Sequence, residues 1–157
     1  MSDVLSIIDD ERPANRSTKL SLGDLGEKLA VDHLIRKGFD IVVTNFKAPV
    51  GRNSKGVSVT GEIDIIAIDG DTLCFVEVKT RTSEDFAPAI TAVDLRKQRQ
   101  ITRTSKVYRR LFNLESAKVR FDVITVVSPN NEKPAITLTK SLWTEGSFSK
   151  RRWHEPF

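Results

Sequence analysis

Asp64 and Glu77 lie thirteen positions apart in the segment Gly61-Glu-Ile-Asp-Ile-Ile-Ala-Ile-Asp-Gly-Asp-Thr-Leu-Cys-Phe-Val-Glu-Val-Lys-Thr-Arg81, and each interrupts an apolar run. Two carboxylates brought together repel unless they share a proton or a cation. The chemistry open to such a pair is therefore divalent-metal binding and the hydrolysis a bound ion supports. What brings them together is local. Ile63–Ile68 and Thr72–Val78 are rich in β-branched and aromatic residues and flank Asp69-Gly70-Asp71, the pattern of a β-hairpin. A two-residue Gly70-Asp71 loop suits the turn that wants glycine first, and sets Asp69 opposite Thr72. Asp64 then falls opposite Glu77, and Glu62 opposite Lys79. A three-residue loop would separate Asp64 and Glu77 onto opposite faces.

Parity extends the prediction. One face carries Ile63, Ile65, Ala67, Cys74, Val76 and Val78. The other carries Ile66, Ile68, Leu73 and Phe75 near the turn, then Asp64, Glu77, Glu62 and Lys79 at the far end. A hairpin apolar on both faces is expected inside a sheet covered on both sides. The plainer alternative is that the charged end only marks where the sheet reaches water.

The rest of the chain narrows the ligand chemistry. With one cysteine and two histidines in 157 residues, neither a disulfide framework nor a Cys/His zinc site is available, so a metal must be held by oxygen. That favours Mg²⁺ or Mn²⁺. The net charge of +4 is a mild basic excess whose distribution matters more than its total. Between Leu95 and Phe112 stand Arg96, Lys97, Arg99, Arg103, Lys106, Arg109 and Arg110 without an acid. An unbalanced basic run can be a solvated helix face, but it is also a phosphate binder, since Lys and Arg displace the counterions condensed on nucleic acid.

Flanking elements follow from periodicity. Ser21 and Asp24 mark the start of a helix with an apolar stripe of Leu22, Leu25, Leu29, Ala30, His33 and Leu34, ended by Gly38; Gly23 and Gly26 in it suggest close packing. Phe39–Phe46 is expected as a strand, followed by an exposed loop over Lys47–Gly56. A second helix is expected from about Thr91 to Phe112, capped by Thr91 with Asp94 and buried through Val93, Ile101, Tyr108 and Leu111. Val119–Val127 completes a right-handed crossover parallel to the Glu77 strand, with an edge strand over Ile136–Thr139. Residues 1–19 are expected as a flexible tail, 20–148 as one domain and 149–157 as a basic tail. Met1–Lys19 lacks the pattern of a signal peptide and no segment reaches membrane-spanning length, so the expected location is cytoplasmic.

The segments Gly23-Asp-Leu-Gly-Glu27, Gly61 to Ala67, Phe75-Val-Glu-Val-Lys79 with Arg81, Val93 to Ile101 and Phe121-Asp-Val123 together resemble the YraN-like family of bacterial proteins, a branch of the restriction-endonuclease-like superfamily. The resemblance implies a restriction-endonuclease-like α/β fold, a mixed β-sheet flanked by helices. It also implies a metal-dependent endonuclease similar to Holliday-junction resolvases, acting on DNA, branched DNA included, and working as a homodimer. Asp64, Glu77 and Lys79 would be catalytic. Glu27, Asp64 and Glu77 would hold Mg²⁺ or Mn²⁺. Arg81, Arg96, Lys97, Arg99 and Arg103 would bind nucleic acid. The alternative is a non-catalytic nucleic-acid-binding module on the same scaffold.

Overall fold

The hairpin forms as its turn chemistry requires. Gly70 takes φ of 62°, the conformation wanted at the first loop position, and Asp69 faces Thr72 across β2 (Ser58–Asp69) and β3 (Thr72–Arg81). The computed structural model describes residues 21–82, 89–129 and 132–148; both predicted tails lie outside them. Three further strands, β1 (Asp40–Arg52), β4 (Val119–Val127) and β5 (Ala135–Trp143), complete a five-stranded sheet in the order β1-β2-β3-β4-β5. β3 and β4 run parallel; the other neighbours are antiparallel. The predicted mixed α/β sheet is thus present, with the β2–β3 hairpin in its interior.

One helix covers each face. α1 (Leu22–Arg36) is capped by the Ser21 hydroxyl, which accepts the Asp24 N–H. It packs Ala30 and Leu34 on Phe39, Ile65, Ala67, Cys74, Val76 and Ile124. α3 (Leu95–Leu111) follows a single turn, α2 (Ala89–Ala92), and packs Ile101 and Tyr108 on Ile63, Ile66, Phe75, Phe121 and Trp143. Cys74 is a core residue whose thiol burial pushes up to about 12, so it is inert at neutral pH.

Several expectations change. β1 does not stop at Phe46 but continues to Arg52, so the supposed loop is the outer half of a second hairpin. Its turn is closed by the Asn53 carboxamide oxygen, which accepts the N–H groups of Lys55 and Val57, and by Arg52 donating to Gly56 O. These side-chain bonds are available to a Gly-rich turn and invisible to periodicity. Asp94, not Thr91, caps α3 by accepting the Lys97 N–H. Leu111 is exposed, because α3 buries a narrow face completed by Thr102, Thr104 and Ser105.

Two glycines hold the helices close to the sheet. A Cβ on Gly26 would stand 2.0 Å from Thr80 Oγ1, and one on Gly61 would stand 2.0 Å from Thr104 Oγ1. Gly26 thus sets α1 on β3, and Gly61 sets α3 on β2. Gly23, by contrast, is exposed and meets only Ser21 Oγ at 3.9 Å, so close packing does not account for it.

Candidate metal centre and phosphate cleft

The sheet opens where the acids lie. The β2–β3 ladder runs from Asp69 opposite Thr72 to Ile65 opposite Val76 and stops there. The next β3 donor, Val78 N–H, is taken by the Asp64 carboxylate at 2.8 Å instead of by a β2 carbonyl. A kink across β1 and β2 causes this. Thr44 pairs with Ile65 and Phe46 with Ile63, but between them Asn45 adopts φ of 54° and the ladder skips Asp64. Asparagine tolerates that left-handed conformation better than most residues. Face parity flips at the kink on both strands. Ile63 joins the α3-side core with Ile66, while Ile65 remains on the α1 side, so the predicted placement of Ile63 beside Ile65 is wrong. Beyond the kink β2 pairs with β1 alone, and Glu62 lies opposite Lys47 rather than Lys79.

Glu77 is 4% exposed, and its Oε2 has no hydrogen-bond partner. Burial first and the nearby Asp64 charge second push its carboxyl up to about 7; Lys97 and Lys79 pull the other way. Both lysines approach the other oxygen, Oε1, at 3.9 and 3.6 Å. Glu27, on the α1 side, is also raised, by burial, with a side-chain hydrogen bond to Asn45 opposing and the charges of Asp64 and Glu62 adding. Asp64 therefore acts on acids from two elements. Among the described residues no three Asp, Glu, His or Cys side chains stand close enough together to hold an ion as they lie.

On the α3 side of Glu77 opens a cleft of about 560 Å³ between α3 and the outer β1–β2 ribbon. Among the described residues Arg52, Lys79, Arg96, Lys97, Arg99 and Arg103 line it, against one acid, Asp94, which is engaged in capping α3. Lys79 and Lys97 belong both to this cleft and to the environment of Glu77. The cationic lining and the acid pair, buried Glu77 with half-buried Asp64, are thus continuous.

A family model described as "Uncharacterised protein family UPF0102" matches residues 26–126, from the first close-packed glycine to the penultimate residue of β4. The chain belongs to the UPF0102 family. This is the family of the YraN-like proteins resembled above. A UPF0102 protein of Caldanaerobacter subterraneus subsp. tengcongensis is 40% identical over 122 residues, 78% of this chain and 89% of that protein. One of Renibacterium salmoninarum is 35% identical over 125 residues, covering 80% and 98%. A solved crystal structure, SSO0001, aligns with 80% of this chain and 55% of that one at 19% identity and a TM-score of 0.34, too low to bear on fold or function.

Of the residues expected to act together in this UPF0102 domain, the fold gathers Asp64, Glu77, Lys79 and Lys97 most closely. Glu27 stands beside them on α1. Arg96, Arg99 and Arg103 share the cleft, whereas Arg81 does not line it and ends β3 opposite Val127. Three contributors escaped the sequence reading. Asn45 sets the kink, and its signal was only its type. Arg52 ends β1 instead of lying in the expected loop, and Gln100, which donates to Thr60 O at 3.3 Å, ties α3 to β2. No helix among the described residues is long and apolar enough to cross a membrane.

Proposed function

We propose that this UPF0102 chain is a metal-dependent endonuclease that hydrolyses phosphodiester bonds of DNA, using Mg²⁺ or Mn²⁺. The observation that carries the reading is Glu77 Oε2, a carboxylate oxygen buried without a partner beside Asp64 and next to a cationic cleft. The two lysines serve Oε1 only, and a buried carboxylate oxygen left without a partner is costly unless a cation or a proton completes it. The donors on offer are all oxygens, the set a hard divalent ion takes. Asp64 and Glu77 would hold the ion, with Glu27 reaching it directly or through water. When bound, the ion polarises the scissile phosphate and lowers the pKa of attacking water.

The remaining work belongs to the chain. Arg96, Arg99, Arg103 and Lys97 bind the phosphodiester backbone, and Lys97 also balances Glu77 from the cleft side. Lys79 orients the attacking water or stabilises charge developing on the phosphate. The resemblance to resolvases supports DNA as substrate, branched DNA included, and a homodimer as the working form.

One observation favours the second reading, a nucleic-acid-binding module without turnover: the third acid is not drawn in against the Asp64–Glu77 pair. A cleavage screen over linear, flapped and four-way DNA with Mg²⁺ and Mn²⁺, run beside thermal melts, decides between them. The nuclease reading expects either ion to raise the thermal midpoint, since a ligand that binds only the folded state stabilises it. Asp64→Asn with Glu77→Gln should remove both this rise and cleavage. Cleavage that persists in the double variant, or a wild type indifferent to metal and inactive on all three substrates, would overturn the reading.

A further inference from the structure

The cationic surface does not end with the cleft. Arg96, Arg99, Arg103, Lys106 and Arg110 follow one another at steps of three or four along α3, and all five are exposed. Residues so spaced share one helix face. At about 1.5 Å of rise per residue they form a stripe about 21 Å long. Among the described residues none of Arg96, Arg103, Lys106 and Arg110 is in an ion pair. Arg99 is steadied otherwise, with its guanidinium over the Phe148 ring at 5.6 Å. Five like charges on one face repel one another, and α3 carries no acid to offset them. At the far end Glu115 and Glu145 both border the hollow that contains Lys106 and Arg110, and Glu145 is engaged by Arg109.

We infer that this stripe is a track for a double-stranded nucleic-acid arm, which leaves the cleft and lies along the whole outer face of α3. The inference rests on the nuclease-site reading for where the track begins, and adds the form and length of the substrate. Charge complementarity selects the occupant. A strand of duplex advances about 3.4 Å per phosphate, so the stripe matches about six consecutive nucleotides. Among the described residues the cleft is lined by bases and by no aromatic side chain, so the contacts these residues offer are to the phosphate backbone. An anionic membrane would also attract the stripe, but α3 commits Ile101 and Tyr108 to the core and leaves only Leu95 and Leu111, at its two ends, exposed, which is no continuous apolar face for insertion.

The test is fluorescence anisotropy in EDTA with a hairpin-closed DNA duplex of about twelve base pairs, with salt varied from 50 to 200 mM. Lys106→Ala with Arg110→Ala should flatten the slope of log affinity against log salt by about two, so that wild type loses about tenfold more affinity than the variant across that range. Lys37→Ala with Lys118→Ala removes the same charge from elsewhere and should leave the slope near wild type. Thermal melts of both variants check folding. Equal slopes for the two double variants overturn the track, as does a wild type that ignores the duplex but binds vesicles containing anionic lipid. If the track variant alone loses slope while no substrate is cleaved with either metal, the track stands and the nuclease reading falls. If cleavage occurs and the slopes are equal, the nuclease reading stands and the track falls.

Discussion

Glu77 is the residue on which the chemistry turns, and its environment makes a prediction with a definite sign. Folding raises its carboxyl from an ordinary value near 4.5 to about 7, so between those pH values the folded chain holds a proton that the unfolded chain has released. Stability from this group is therefore lost as pH rises from about 4.5 to about 7, by at most about 3 kcal/mol. In EDTA the thermal midpoint of wild type should fall across that window. Glu77→Gln should fall less and melt above wild type at pH 7.5; a Gln variant that tracks the wild-type profile would exclude the charge as the cause. Lys79 gives the complementary contrast. Lys79→Met should abolish cleavage yet keep the metal-induced rise in midpoint, because an ammonium is no ligand; loss of the rise would show Lys79 acting through the ion site's structure instead.

At the scale of elements, the site depends on how closely each helix approaches the sheet. Gly26→Ala drives a methyl into Thr80, whose Oγ1, Cβ and Cγ2 all lie within 3.1 Å of the new atom, so rotation of Thr80 offers little escape. Overpacking of this kind costs about 1–3 kcal/mol. Thr80→Ala in the same chain should return part of that loss, which a double-mutant cycle of denaturant midpoints measures. Additive effects of the two changes would mean that α1 and β3 do not meet there. The kink belongs to this scale too. Asparagine at position 45 could be recognised as a turn-prone residue, but that it would flip parity on two strands at once required knowing that β1 and β2 run side by side there, with the ladder skipping Asp64. Hydrophobic alternation predicted the β2–β3 hairpin correctly from Ile65 to the turn and failed at Ile63, where the alternation itself breaks.

For the whole molecule the governing feature is an asymmetric charge distribution, with bases gathered on one face and the acid pair beneath them. Replacing Arg96, Lys97, Arg99 and Arg103 by Ala should weaken binding to unrelated DNA sequences alike and reduce the salt slope, by up to about 0.9 per phosphate contact removed. A variant whose slope matches wild type would remove the cleft from DNA binding. Arg52 tests the outer ribbon separately, because it faces α3 across the cleft from a different element. Arg52→Ala should weaken binding with the thermal midpoint near wild type; unchanged binding would restrict the phosphate contacts to α3.

The sequence by itself determined the elements whose causes are local. The Gly70-Asp71 turn fixed the register that brings Asp64 and Glu77 to one end of the hairpin, apolar runs on both faces placed that hairpin inside the sheet, and the spacing of bases on α3 was written in its heptad-like steps. Tertiary structure decided what depends on partners distant in the chain. Glu62 was assigned to Lys79 by extending a ladder that in fact stops at Ile65; β1 runs on to Arg52 and claims Glu62 for Lys47 instead. The burial of Glu77, and with it the orphaned oxygen, is likewise a tertiary outcome, as is the seating of α3 on β2 at Gly61, a contact between residues 43 positions apart. Periodicity reports which face of an element is apolar, but the depth of a carboxylate is set by what the opposite layer places above it.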